Sequence, residues 1–454
     1  MKREAGLVPS KLTLWQNDFT IQRQHFLDLS SAFVGQETRL NMRDLFSSFR
    51  CLLMVTLCTG IVVAIPGCNS ATTSNPNRIK IVSSLPRTGS AKLQTDTMVN
   101  GIKLALDEAG HKVGDYTIDY EDMDDATAAT GDWTPDAEGN NARRAANDPD
   151  VMVYIGPYNS GAAKVSMPIL NRAGLLMISP ANTSVGLTKP GLGDADEPNI
   201  YRPSGKKNYT RVVPADDLQG SCAAQWAKDL GVKKVYILDD NSVYGKGIAE
   251  MFAQRCGELE IEVLGHDSID THAQEFRSKM TSIKSLKPDL IYYGGTSQTK
   301  GGQICKDMVA TGLDCKLMVP DGCLEDAFID AAGPENANGR VYVTFGGVLP
   351  ENQTGKGKEF VEKYKAKYGS LPAAYAIYSY EAAKAALEAI RSAGKKDRAA
   401  VIDAAFAIKD FPGALGTWSF DENGDTTLHK LSGSIVRNGK FEFSKLLGDD
   451  DQKK

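Results

Sequence analysis

From residue 78 onward the apolar positions follow two alternating rhythms. Residues 79–85 (IKIVSSL) and 151–155 are short apolar runs of the length a buried strand needs. Between them Met98, Ile102, Ala105, Leu106 and Ala109 recur at helical spacing, which predicts a helix over 97–109. Strands are expected again at 116–120 and 175–178. The rhythm then restarts. Helices expected at 220–230, 245–256, 276–286 and 301–310 alternate with strands at 234–238 (KVYIL), 261–264, 289–293 (DLIYY) and 317–319. This alternation predicts α/β units built on parallel, doubly wound sheets. Such sheets take ligands outside the carboxyl ends of their strands.

After a strand at 340–345 the pattern changes. Helical spacing marks 359–368, 378–393 and 399–407, with little strand between them. Three helices without a sheet of their own are expected to return to the first α/β unit. The last stretch, 417–443, reads as β-rich, with turns at 421–425 and at Asn438-Gly439.

The N-terminal region has a different character. Residues 51–65 (CLLMVTLCTGIVVAI) are apolar throughout, preceded by Arg43 and Arg50. Fifteen residues are too few for a spanning helix and suit the core of an export signal. Met42 opens a segment of the right proportions, so 42–67 is expected to be the signal peptide and 1–41 a mis-assigned start or a leader without a fold. Pro66-Gly67-Cys68 follows the apolar core and resembles a bacterial lipoprotein signal, which makes Cys68 the candidate lipidation site and implies a membrane anchor. Pro66 departs from that pattern, and an ordinary cleavage nearby or an uncleaved anchor are the alternatives. Residues 68–77 read as a polar tether.

Composition excludes several classes. The 454-residue chain is 42% hydrophobic and 24% charged with a net charge of −5, so no basic field points to nucleic acid. Eight cysteines show no Cys-x-x-Cys spacing, which removes the redox-dithiol and zinc-ribbon readings. Five of them lie in the body, an odd number that leaves at least one unpaired unless pairing is intermolecular. Phosphate-loop, zinc-protease and nucleophile-elbow motifs are absent, and the five histidines are scattered. The acidic run 121–125 (EDMDD) lacks the spacing of a calcium loop and is expected to be a solvated loop. No enzyme chemistry, metal or cofactor is expected.

Eight segments carry a resemblance when taken in order. They are IKIVSSLPRTGS, NGIKLALDEAG, YIGPYNSGAA, LLMISPANTS, VYILDDNSVYGKG, PDLIYYGG, LMVPDG and YSYEAAKAAL. From about residue 79 to 443 the chain resembles the periplasmic leucine/isoleucine/valine-binding proteins, the type I solute receptors of ABC transporters. The resemblance implies two doubly wound parallel-sheet lobes joined by three crossover strands. The crossings are expected near Val212, Thr344 and Thr417, giving one lobe from 78–212 plus 345–417 and another from 213–344 plus 418–446.

The resemblance also implies a set of ligand contacts. Ser160 stands where a helix begins after a strand, and free amides with a favourable helix dipole suit an anion there. An isolated serine at that place would be a plain cap; in the family it receives an amino-acid carboxylate together with positions matched here by Ala181 and Thr183. Asp321, in Pro-Asp-Gly, would otherwise be a turn residue. In the family an acidic residue there meets the ligand ammonium, although branched-chain binders carry Glu, one methylene longer. Tyr244 matches a tyrosine that closes over the ligand from the second lobe. Thr296 and Gln94 stand where branched-chain binders carry aromatic residues, which makes a polar amino acid, an amide or a urea-like solute an alternative to leucine. The expected function is the exported solute-binding component of an ABC transporter, with permease subunits as partners. The alternative is a sensor of the same shape that does not transport.

Overall fold

The computed structural model describes residues 75–448, and the expected signal peptide and Cys68 lie outside them. The first sheet has the order β2-β3-β1-β4-β5-β6. Its strands are β1 (Arg78–Leu85), β2 (Lys112–Val113), β3 (Tyr116–Asp124), β4 (Val151–Ile155), β5 (Leu176–Ser179) and β6 (Tyr209–Arg211). All pair in parallel except the short edge strand β2. Helices α1 (Lys92–Glu108), α2 (Pro135–Asn147) and α3 (Ser160–Arg172) connect them. Every residue of β4 is buried, as a central parallel strand covered on both faces requires.

The chain then enters a second sheet of order β15-β14-β11-β10-β9-β7-β8. Its elements run α4 (Asp216–Asp229), β7 (Lys234–Asp239), α5 (Val243–Glu258), β8 (Glu262–Ser268), α6 (Arg277–Leu286), β9 (Leu290–Gly294), α7 (Gly301–Ala310) and β10 (Lys316–Val319). Short helices α8 (Asp326–Ala332) and α9 (Pro334–Ala337) lead to β11 (Val341–Phe345). Helices α10 (Gly355–Tyr368), α11 (Ala376–Ala393) and α12 (Arg398–Phe406) follow, then a small hairpin, β12 (Phe411–Gly413) with β13 (Gly416–Trp418). The chain finally returns to the second sheet as the antiparallel pair β14 (Leu431–Arg437) and β15 (Lys440–Leu447). Asn438 and Gly439, both at positive φ (51° and 70°), make that turn, as a two-residue hairpin demands.

Helices α10 to α12 pack on the first sheet's lobe for identifiable reasons. Gly101 lets α1 and α11 approach closely, since a Cβ there would stand 2.4 Å from the Ala376 carbonyl oxygen. Arg398, at the start of α12, donates to the carbonyls of Ala145, Ala146, Asp148, Val151 and Ala173 at 2.7 to 3.3 Å. One guanidinium therefore satisfies the frayed ends of two helices and the start of β4. The chain thus passes between the two lobes after β6, after β11, and between β13 and β14.

Two expectations change. Helix α1 begins at Lys92, five residues before the periodic segment, and its early buried positions, Gln94 and Thr95, are polar and so give no apolar signal. The acidic run is not a solvated loop over 121–124. Those residues end β3, paired in parallel with β1 from Val82↔Glu121 to Leu85↔Asp124, and Met123 turns into the core. Strand alternation with a single apolar residue among acids is a weak signal, and pairing supplied the rest. Asp125, next in the run, is fully buried. Cys256, Cys305, Cys315 and Cys323 are free thiols, and of the five body cysteines all but Cys315 are buried.

Candidate functional site

Strand ends from both lobes converge on one cavity of about 390 Å³. From the first lobe it is lined by the loop after β4 with the first turn of α3, by Ala181 after β5, and by Trp133. From the second lobe come the loops after β7, β9 and β10, which bring Tyr244, Thr296 and Asp321. Tyr375, just before α11, completes the wall. Among the described residues no helix is long and apolar enough to cross a membrane, and no group of His, Cys, Asp or Glu could hold a metal ion.

The amide end of α3 is the first feature. Ser160 is the first helical residue, and the cap, Asn159, makes no side-chain capping bond. Its Oδ1 is buried without a hydrogen-bond partner. Initial helix amides have no intrahelical acceptor, so N–H groups and a positive dipole end face the cavity. Ser160 Oγ accepts from the Ser184 amide at 3.4 Å, tying the loop after β5 to the helix. Gly161 is required because Trp133 lies against it; a Cβ would meet the indole at 2.7 Å.

Asp321 is the second feature. It is 1% exposed. Its carboxylate accepts from Tyr244 Oη at 2.5 Å, from Gln219 Nε2 at 2.9 Å and from Tyr375 Oη. Tyr244 and Gln219 belong to the same lobe as Asp321, and Tyr375 reaches it from the other. Burial pushes the Asp321 carboxyl above its ordinary value, and the three donors oppose that shift. A second contact crosses the cleft: Tyr158 Oη donates to Glu325 at 3.3 Å. Burial lifts Glu325 to about 7.

Behind the cavity the connections between lobes are held by Arg211, which is fully buried. Its Nε donates to Asp425 at 2.7 Å, and its Nη1 to the carbonyls of Asn182 (3.1 Å) and Ser184 (2.7 Å). Nη2 reaches Thr188 Oγ1 at 2.5 Å. This one side chain fixes the loop carrying Ala181 and Thr183 and joins the first connection to the third. The guanidinium holds the Asp425 carboxyl below its ordinary value against the opposing cost of burial.

Of the seven residues singled out from sequence, Ser160, Ala181, Tyr244, Thr296 and Asp321 line the cavity together. Thr183 and Gln94 stand behind the wall, 1% and 3% exposed. Gln94 accepts from the Tyr375 amide at 3.5 Å, so it supports a wall residue. Sequence reasoning missed Tyr158, Gln219 and Tyr375. Tyr158 lies within the segment YIGPYNSGAA and was overlooked beside Ser160. Gln219 and Tyr375 sit on helices or at their starts, away from the strand ends where ligand residues are sought.

A two-lobed α/β molecule whose strand ends from both lobes line one cavity is a solute clamp. Residues 78–439 match the model of the periplasmic binding protein family, and the chain belongs to that family. It is 28% identical over 352 residues to the Leu/Ile/Val-binding protein BraC3 of Rhizobium johnstonii, covering 76% of this chain and 88% of the relative. Among solved structures it is similar to a leucine-binding protein, LivK, of Thermotoga maritima. That match has a TM-score of 0.72 and 27% identity, over 82% of this chain and 99% of the other. An ABC-transporter solute-binding protein of R. palustris crystallised with benzoate shares the fold, with a TM-score of 0.68 and 21% identity, over 82% and 98% of the two chains. The family is one of extracytoplasmic binding proteins, not enzymes, and the chain has a solute-binding role.

Proposed function

We propose that the protein delivers a small amino acid, branched-chain or related, to the permease subunits of an ABC transporter by closing its two lobes on it. One observation carries the reading: Ser160 and Ala181 of one lobe share a cavity with Tyr244, Thr296 and Asp321 of the other. In this reading the ligand carboxylate meets the amides and hydroxyl at the start of α3, with Thr183 behind Ala181 shaping that loop. The ammonium meets Asp321. A ligand that touches both lobes binds the closed arrangement better than the open one, which is the only way it can shift the balance between them. The three connections act as the hinge. The transporter recognises the closed shape, so no covalent step is needed. Cys68 carries the lipid anchor that keeps the clamp at the membrane, held by more than one acyl chain.

Thermal denaturation with each L-amino acid in turn tests this reading. A true ligand at 100 times its dissociation constant stabilises by about 2.7 kcal/mol. A full panel without any shift would refute the amino-acid reading.

A further inference from the structure

The cavity wall not needed for an ammonium and a carboxylate holds an unpaired amide and two carboxyls among aromatic rings. Among its lining residues the purely aliphatic side chains are Ala181 and Val243, and the aromatic ones are Trp133, Tyr158, Tyr244 and Tyr375. Gln298 lines it with both Nε2 and Oε1 buried and without a hydrogen-bond partner. Its loop is fixed by Thr299, whose Oγ1 donates to Asp240 at 2.7 Å and accepts from the Thr296 amide at 2.9 Å. The amide of Gln298 is therefore held in place with nothing to pair with, and it presents one acceptor and two donors.

Charge points the same way. Asp132 from the first lobe and Asp240 from the second both line the cavity. Asp132 accepts from the Trp133 amide at 2.7 Å; Asp240 accepts from the Ser242 amide at 2.9 Å and from Thr299. Burial pushes both carboxyls up, and Asp240 adds to the shift at Asp132. The cation in the wall, Lys164, is committed to Glu197, with Asp194 at 3.6 Å. An amino acid's own ammonium and carboxylate are matched by Asp321 and the start of α3, which leaves this second acidic side without a counter-charge. An isobutyl group placed there would strip water from Gln298 and Asp132 and return no hydrogen bond.

We infer that this wall selects an amino acid whose side chain ends in nitrogen-bound hydrogens, a carboxamide, ureido or basic group, over an aliphatic one. The inference rests on the amino-acid reading above and specifies the side chain that reading leaves open. Gln298 and Asp132 are its specificity residues.

Calorimetry on the full chain with L-glutamine, L-ornithine and L-leucine tests it. Glutamine or ornithine is expected to bind at least tenfold more tightly than leucine. Glutamine ahead marks a carboxamide site, and ornithine ahead a basic one. Gln298→Leu should weaken the preferred ligand about tenfold and leave leucine unchanged or tighter. Asp132→Asn, nearly isosteric, should narrow the gap between ornithine and leucine while the fold is kept. Leucine binding as tightly as both others would overturn the inference and leave the amino-acid reading standing. No binding by any of the three, together with a flat thermal panel, would remove both.

Discussion

The hinge and the cleft both bury charge, but they neutralise it differently. At the hinge, Arg211 and Asp425 meet at 2.7 Å, and the remaining guanidinium donors find fixed carbonyls and a hydroxyl. Nothing there depends on the lobes being together. In the cleft, Asp321 and Glu325 are buried carboxyls, each taking a hydrogen bond from a tyrosine of the opposite lobe. Opening the lobes would exchange Tyr375 and Tyr158 for water. The hinge is thus built to be permanent and the cleft to be conditional, a division that suits a clamp.

Breaking the hinge should have the largest effect. Arg211→Met leaves buried Asp425 with the Thr188 hydroxyl at 3.1 Å and Lys189 at 3.8 Å in place of its guanidinium, and loss of one member of a buried pair costs about 3–5 kcal/mol. Denaturant unfolding should show this as a lower midpoint. A loss under 1 kcal/mol would mean that the pair is not what joins the connections.

In the cleft, Asp321→Ala should cost on the order of 2–5 kcal/mol in the binding of an amino acid, because it strands a desolvated ammonium. Stability should fall far less than in the hinge variant. Calorimetry showing unchanged affinity for whichever amino acid stabilises the wild type would remove Asp321 from the site.

Tyr375→Phe sharpens the comparison, since it deletes a bond between lobes and keeps the ring that packs on Tyr158 and Phe345. A hydrogen bond to a charged group contributes about 1.5–3 kcal/mol. Part of that is recovered from water in the open state, so affinity should weaken about tenfold. Equal affinity would show that the tyrosine is packing alone.

The last test concerns pH dependence. Glu138, fully buried with Ser84 Oγ at 2.6 Å and Tyr154 Oη at 2.9 Å, is lifted to about 7 by burial, as is Glu325. A carboxyl with a raised folded value holds its proton in the native state after the unfolded chain has lost it. Stability should therefore fall as pH rises from about 4.3 to 7, by up to about 1.4 kcal/mol per pH unit for each such group, and level off above. Asp425 works in the opposite sense: its contribution is full above the unfolded carboxyl value and is lost as pH falls through its lower folded one. Glu138→Gln should flatten the decline between pH 5 and 7 without altering the acid limb. An unchanged slope would contradict the assignment.

The fold was legible where residue type and period agree. Strands such as 234–238 and 289–293 and the helix face of Met98 to Ala109 declare themselves through apolar spacing. The end of β3 did not, because three of its last four residues are acidic and only pairing with β1 makes them a strand. The site was legible at strand ends, where Ser160, Ala181, Tyr244, Thr296 and Asp321 converge. Tyr375 and Gln219 were not, since nothing local distinguishes a helix-flanking tyrosine that reaches across a cleft from one that fills a core. Gln94 marks the opposite error. Its place in the chain pointed to the cavity, yet the side chain props the backbone of Tyr375 instead.

If a ligand closes the two lobes about their three connections, the protein becomes more compact on binding. Small-angle scattering of the protein, with and without a saturating amino acid chosen from the thermal panel, tests it most directly. A smaller radius of gyration is expected with ligand, and a smaller change in Tyr375→Phe. A radius unchanged at saturation, with binding confirmed by calorimetry in the same sample, would contradict it.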